Sequence, residues 1–312
     1  MGKTTIEWTD RTWNPVTGCT KVSPGCDHCY AETLAERFRG TPGHYFENGF
    51  DVQLRPAKLA EPLRWRTPSR VFVNSMSDLF HDDIPNEYIA RVFAVMALTP
   101  QHTFQVLTKR HARMKSLLSS ESFEAAVFDA CDGAFDGYFQ LPLPNVWLGV
   151  SAENQKWADI RIDRLLDTPA AVRFVSAEPL LGEIDIFRST RIDRLPGLDW
   201  VIAGGESGRR ARPLHPGWVR LLRDECKDAQ IAFHFKQWGE WAPVDGQPQD
   251  GDVWVLGEAF ESHAYPWRPD TEPAAPGRYS RYADHLMRRV GKKTAGRELD
   301  GRTWDEFPAG AS

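Results

Sequence analysis

Apolar residues along this chain fall into short blocks, each closed by polar residues and followed by a stretch of helical periodicity. Arg70-Val71-Phe72-Val73 gives way to Asn74-Ser75-Met76-Ser77-Asp78, and a helix is predicted from about Asn86 to Leu98. Thr103-Phe104-Gln105-Val106-Leu107 gives way to Thr108-Lys109-Arg110, with a helix near His111–Leu118. Val146-Trp147-Leu148-Gly149-Val150 runs into Ser151-Ala152-Glu153-Asn154 and a helix reaching Leu166. Val172-Arg173-Phe174-Val175 runs into Ser176-Ala177-Glu178-Pro179, and Trp200-Val201-Ile202-Ala203 into Gly204-Gly205-Glu206-Ser207, followed by a helix from about Gly217 to Ala229. Ile231-Ala232-Phe233-His234-Phe235 closes the series on Lys236-Gln237-Trp238.

These are six strand–helix steps, or seven with a first strand inside residues 1–18. Apolar strands alternating with helices predict a parallel sheet. The expected fold is α/β: a partial (β/α) TIM-type barrel over residues 1–241, with an insertion around 119–143 and a loop-rich extension, 242–312, packed on it as a lid. Polar residues recur at the carboxyl end of every strand, where barrels build their active sites. A Rossmann-type open sheet is the alternative, but it gathers its polar strand ends at one switch point. Residues 40–68, with Pro42, Pro56, Pro62 and Pro68, read as irregular.

Composition narrows the class. The chain has 312 residues, 41% hydrophobic, enough for a large core, and its net charge of −5 argues against a surface built for non-specific DNA binding. No apolar run approaches the roughly 20 residues that span a bilayer. The start lacks the apolar core of a signal peptide, and Met1-Gly2 is a weak lipidation cue. A cytoplasmic protein with no membrane partner is expected. The twelve tryptophans are read as core and lid packing.

Three of the five cysteines, Cys19, Cys26 and Cys29, lie in a C-x6-C-x2-C cluster. Close thiolates repel one another unless a cation sits between them, so the cluster predicts a metal centre: an iron–sulfur cluster, or zinc with His28 or His44 as fourth ligand. A disulfide would leave one thiol over. The turn Pro24-Gly25 folds the loop back, and a helical pattern from Tyr30 to Phe38 follows at once. Cys26 and Cys29 therefore sit where a loop enters a helix, beside amide donors. Cys131 and Cys226 are isolated, with no metal role expected.

Several motifs carry a resemblance that covers nearly the whole chain: Trp13-Asn14-Pro15-Val16-Thr17-Gly18-Cys19, Gly25-Cys26-Asp27-His28-Cys29-Tyr30-Ala31, Ser75-Met76-Ser77-Asp78-Leu79-Phe80, Gly204-Gly205-Glu206-Ser207-Gly208, and Gly291-Lys292-Lys293 through Trp304. On these the chain resembles the phage and prophage gene-product-37-like family, whose members are similar to radical S-adenosylmethionine (SAM) enzymes. The resemblance implies that Cys19, Cys26 and Cys29 hold a [4Fe–4S] cluster whose open iron takes SAM. An external reductant such as a flavodoxin or ferredoxin would supply the electron, and a 5′-deoxyadenosyl radical would abstract hydrogen from a substrate. The first cysteine gap, six residues, is longer than the C-x3-C-x2-C common in that superfamily, and His28 stands where an aromatic apolar residue is usual.

The resemblance also implies cofactor contacts at the strand ends. Ser77 and Asp78, with Ser75 beside them, are expected to hold the SAM amino group. Glu153 or Asn154 is expected to reach the ribose, with hydrogen bonds from Ser151 and Ser176. Glu178 and Gly204-Gly205-Glu206 complete the set; four carboxylates at equivalent strand ends point to a shared site, where a single one would cap a helix. Lys109, Arg110, Lys236 and Gln237 are expected to line the same mouth, and Arg209, Arg210 and Arg212 to grip a phosphate-bearing substrate such as a nucleic acid or nucleotide. The tail from Met287 to Trp304, six basic residues against two acidic, reads as a hairpin packed over the barrel, with nucleic-acid binding as the alternative. The competing function is a non-catalytic zinc barrel that binds nucleic acid or a partner protein.

Overall fold

The computed structural model describes residues 4, 6–134, 139–189, 197–244, 246–255, 264–266, 268 and 285–309. In chain order the elements are β1 (Arg11–Trp13), β2 (Val16–Thr17), α1 (Tyr30–Glu36), β3 (Gln53–Leu54), α2 (Pro56–Leu59), β4 (Arg70–Val73), α3 (Asn86–Ala97), β5 (Thr103–Thr108), α4 (His111–Leu118), α5 (Glu121–Ala130) and β6 (Val146–Ser151). They continue with α6 (Gln155–Leu166), β7 (Val172–Ala177), α7 (Ile186–Ser189), β8 (Trp200–Gly204), α8 (Pro216–Asp228), β9 (Ala232–Gln237), β10 (Trp241–Pro243), β11 (Val253–Val255), β12 (Ala264–Pro266), β13 (His285–Arg289) and α9 (Lys292–Ala295).

One sheet holds seven strands in the order β1-β4-β5-β6-β7-β8-β9. The pairs β1–β4, β4–β5, β5–β6 and β8–β9 run parallel. The strands add one after another without a reversal, so the doubly wound alternative, which needs a switch point, does not apply. The mixed α/β order and the seven-stranded sheet are consistent with a partial (β/α) barrel. No helix of the described residues is long and apolar enough to cross a membrane.

By internal contacts the chain divides into two compact units, residues 1–150 with 163–174, and residues 151–162 with 175–312. In the first, Trp8 and Trp13 are fully buried. Trp8 meets Phe72 edge-on at 4.6 Å, and Trp13 packs 5.7 Å from Phe104 while its indole N–H donates to the Lys58 carbonyl. The segment 40–68 is more ordered than expected. Pro56 opens α2 and Pro62 opens a 3-10 turn, Pro62–Arg64. Proline breaks a helix interior but is well suited to its first turn, where the missing N–H has no partner to lose. β2 and β3 form a two-residue antiparallel pair. The expected insertion holds α5; residues 135–138 of it lie outside the described ones.

In the second unit Trp200, Trp218, Phe233 and Phe235 are buried. The extension after Trp241, expected as loop, instead carries a four-stranded antiparallel sheet in the order β10-β13-β11-β12. Its strands β10, β11 and β12 are three residues each, too short for an alternating pattern to register. Much of the predicted lid, residues 256–263, 267 and 269–284, lies outside the described residues. The tail runs along β9: Asp305 forms an antiparallel bridge to His234, the Phe235 amide donates to the Trp304 carbonyl, and the Phe233 amide donates to the Glu306 carboxylate. It covers backbone groups that an edge strand otherwise exposes. Trp304 is buried, its indole donates to the Leu299 carbonyl, and the Arg302 guanidinium lies 3.5 Å from the ring centroid, so it is no open stacking face.

Candidate functional site

In the first unit the cysteine loop leaves β2 through Gly18, whose φ of +86° and close approach to the Asp51 carbonyl (2.1 Å from where a Cβ would stand) leave room only for glycine. The Gly18 amide donates to the Met76 carbonyl and the Cys19 amide to the Phe50 carbonyl. The 3-10 turn Pro24–Cys26 folds the loop back, and Cys29 stands at the N-cap position of α1. From the first turn of α1, the Tyr30 hydroxyl donates to the Ser75 carbonyl at 2.5 Å. The loop that holds the thiols is thus tied to the polar end of β4.

The three cysteines are free thiols and partly exposed. Burial, with the Asp78 carboxylate adding to it, pushes the Cys19 thiol up to about 11; the Arg110 guanidinium pulls the other way. Burial also raises Cys29, opposed by the nearby Glu32 and Ala31 amides, which make no cap hydrogen bond, and by Lys109. Cys26 lies within electrostatic reach of both other thiols. Among the described residues no three Cys, His, Asp or Glu side chains stand together as a ready metal cage. The donor types, three thiols in one loop, suit a thiolate-bound centre, and binding would displace the protons that burial, with Asp78 at Cys19, otherwise keeps on Cys19 and Cys29. Of the candidate zinc histidines, His44 stacks on Phe38 at 3.9 Å and its Nδ1 accepts from the Phe46 amide.

Asp78 anchors the rest of this cluster. Its buried carboxylate accepts from the Thr108 hydroxyl (2.7 Å), the Lys109 amide (3.0 Å), the Phe80 amide (3.0 Å) and Arg110 Nη1 (3.3 Å). Arg110 also reaches Cys19 Sγ and both oxygens of Thr20, and Thr20 Oγ1 is 2.8 Å from His81 Nε2. Ser75 Oγ donates to Asn14, and Ser77 Oγ to the Val16 carbonyl. Ser77 and Asp78 are therefore already engaged within the protein. The neighbour that sequence reasoning passed over is Asn74. It is 3% exposed, adopts φ +62°, and neither atom of its amide has a hydrogen bond among the described residues. Asparagine tolerates that backbone better than most residues.

The other predicted residues belong to the second unit. Glu153 does not face an open mouth: it is fully buried, paired with Arg161 of α6 at 3.1 Å, while Arg161 also donates to the Ser151 carbonyl and stacks 4.1 Å over Trp157. Asn154 Oδ1 accepts from the Trp157 amide at the start of α6. Glu178 pairs with Lys236 at 3.0 Å and accepts from Ser176 Oγ. Glu206 takes a two-pronged contact from Arg212, 2.6 and 2.9 Å, plus its amide. Arg212 is thereby turned away from the phosphate role expected of it, whereas Arg209 and Arg210 are exposed. Gln237 Nε2 donates to the Gly205 carbonyl and to Ser207 Oγ. All four strand-end carboxylates thus have a cationic partner.

Gly204 lies against Glu178: a Cβ on it would stand 2.8 Å from Oε1. Gly205 packs so closely on the loop after β9 that a Cβ would stand 1.9 Å from the Trp238 carbonyl oxygen. Gly205→Ala is expected to destabilise the protein by about 1–3 kcal/mol, the usual scale of overpacking. A urea midpoint equal to that of the wild type would show that the loop yields freely.

The model of a family described as a protein of unknown function, DUF5131, matches residues 3–308. No curated protein and no solved structure matches.

Proposed function

This chain belongs to the DUF5131 family, and for it we propose a radical-SAM-type iron–sulfur enzyme, similar to phage gene-product-37-like proteins, acting in the cytoplasm on a nucleic-acid or nucleotide substrate. The observation that carries the proposal is the trio Cys19, Cys26 and Cys29 in one loop next to the first strand of a sequential parallel sheet, with Arg110 Nη1 3.4 Å from Cys19 Sγ. Cys19, Cys26 and Cys29 would hold a [4Fe–4S] cluster, which when bound would supply the electron for reductive cleavage of SAM.

The chain's own residues have narrower tasks. The three thiols give up their protons and hold the cluster. Asn74 presents a donor and an acceptor that no protein group uses among the described residues, at the turn where the SAM amino acid group is expected. Asp78 keeps Arg110 and the Lys109 amide in place. The exposed Arg209 and Arg210 offer charge to a phosphate backbone. A flavodoxin or ferredoxin delivers the electron, and the finer expectation of a TIM-type barrel belongs to the same proposal.

Anaerobic isolation tests it. The expected protein is brown, contains iron and sulfide, bleaches with dithionite, and forms 5′-deoxyadenosine when SAM is added. A colourless protein with stoichiometric zinc would favour the zinc-barrel alternative and end the enzymatic proposal.

A further inference from the structure

Arg110 was expected at the substrate mouth, yet its side chain is only 9% exposed and both terminal nitrogens of its guanidinium are engaged. Nη1 points to Cys19 Sγ at 3.4 Å and to Asp78 Oδ2 at 3.3 Å; Nη2 donates to the Thr20 carbonyl at 3.3 Å and to Thr20 Oγ1 at 2.8 Å. Its backbone is held too, since the Arg110 amide donates to Thr108 Oγ1 at 2.8 Å at the start of α4. Thr108 and Asp78 are themselves joined by a 2.7 Å hydrogen bond. A group fixed at both ends, with its charge against a cysteine sulfur, has little left with which to follow a substrate.

Building on the iron–sulfur proposal, and resting on it, we infer that Arg110 is a positioning residue that holds a permanent positive charge and an N–H donor on the sulfur of Cys19, easing reduction of the bound cluster. Arginine stays protonated throughout the working pH range. Hydrogen bonds to cluster sulfurs and local net charge are levers on reduction potential. One electron from the external reductant adds one negative charge to the cluster and makes or breaks no bond. A fixed cation nearby stabilises the more negative, reduced form more than the oxidised one. Lysine at this position would keep the charge but not the fork that bridges Cys19, Asp78 and Thr20.

The experiment uses full-length protein reconstituted anaerobically with iron and sulfide, as wild type, Arg110→Gln and Arg110→Lys. The reduced fraction is read by electron paramagnetic resonance during a dithionite titration with redox mediators. Arg110→Gln is expected to lower the ratio of reduced to oxidised cluster at a fixed potential about tenfold, equivalent to ~59 mV for one electron. Arg110→Lys is expected to fall between it and the wild type. If Arg110→Gln does not retain iron, Arg110→Lys carries the comparison. Unchanged midpoints in iron-loaded variants would overturn the role of Arg110 and leave the iron–sulfur proposal standing. A wild type with no bleachable cluster would overturn both.

Discussion

Cys26→Ser protein, purified anaerobically, is expected to lose nearly all the iron that the wild type retains, while Cys131→Ser keeps it. Cys26 is the thiol within electrostatic reach of both Cys19 and Cys29, so its loss breaks the trio in the middle. A serine hydroxyl is a poor substitute for the thiolates that hold iron–sulfur clusters. Cys131 is buried at the end of α5 with its sulfur toward the Val127 carbonyl. Its substitution controls for the general effect of removing a thiol. Iron and acid-labile sulfide assays decide the matter. Equal iron in Cys26→Ser and wild type would remove the cysteine loop from any account of a metal centre.

The second large effect is expected at Glu153. Glu153→Ala should destabilise the protein by about 3–5 kcal/mol, because it removes one partner of a buried ion pair and leaves Arg161 in a low-dielectric interior. Both side chains are 0% exposed, so solvent cannot screen the loss. Glu153→Gln keeps the shape and an acceptor oxygen and should cost less. Urea unfolding followed by circular dichroism measures both. A change within about 0.5 kcal/mol, the scale of an ordinary surface substitution, would refute the structural role. SAM affinity in Glu153→Gln tests the rival role directly, since a ribose ligand would weaken binding while the unfolding midpoint held.

The strand–helix rhythm was legible because each step writes its own signal: a compact apolar run, then polar residues, then helical spacing. Val71-Phe72-Val73 and Val201-Ile202-Ala203 are examples, and both sit in the seven-stranded sheet. The small C-terminal sheet was not legible, since strands such as Trp241–Pro243 and Val253–Val255 hold together through partners distant in sequence. The residues at strand ends could be picked out, but not what they touch. Four carboxylates at equivalent positions suggested one shared site; the folded chain gives each its own cation. For Glu153 a clue was present. Arg161 lies on the face of α6 that also carries Ala158, Ile162 and Leu165, all fully buried, and an arginine on an apolar face calls for a buried counter-charge. For Arg110 no comparable clue exists. Its contact with Cys19 joins residues 91 positions apart, and no local pattern records it.

That span has a consequence for how the protein is made. The loop carrying the thiols is fixed by the Phe50 carbonyl, by the turn at Ser75–Met76 and finally by Arg110. During synthesis, at about 5–20 residues per second, the thiols leave the ribosome seconds before their last anchor does. Until then the loop lacks the hydrogen bonds that Arg110 gives to Cys19 and Thr20. Under the iron–sulfur proposal, slowing synthesis downstream of residue 29 should therefore lower the iron bound by the finished protein, as read by an iron assay.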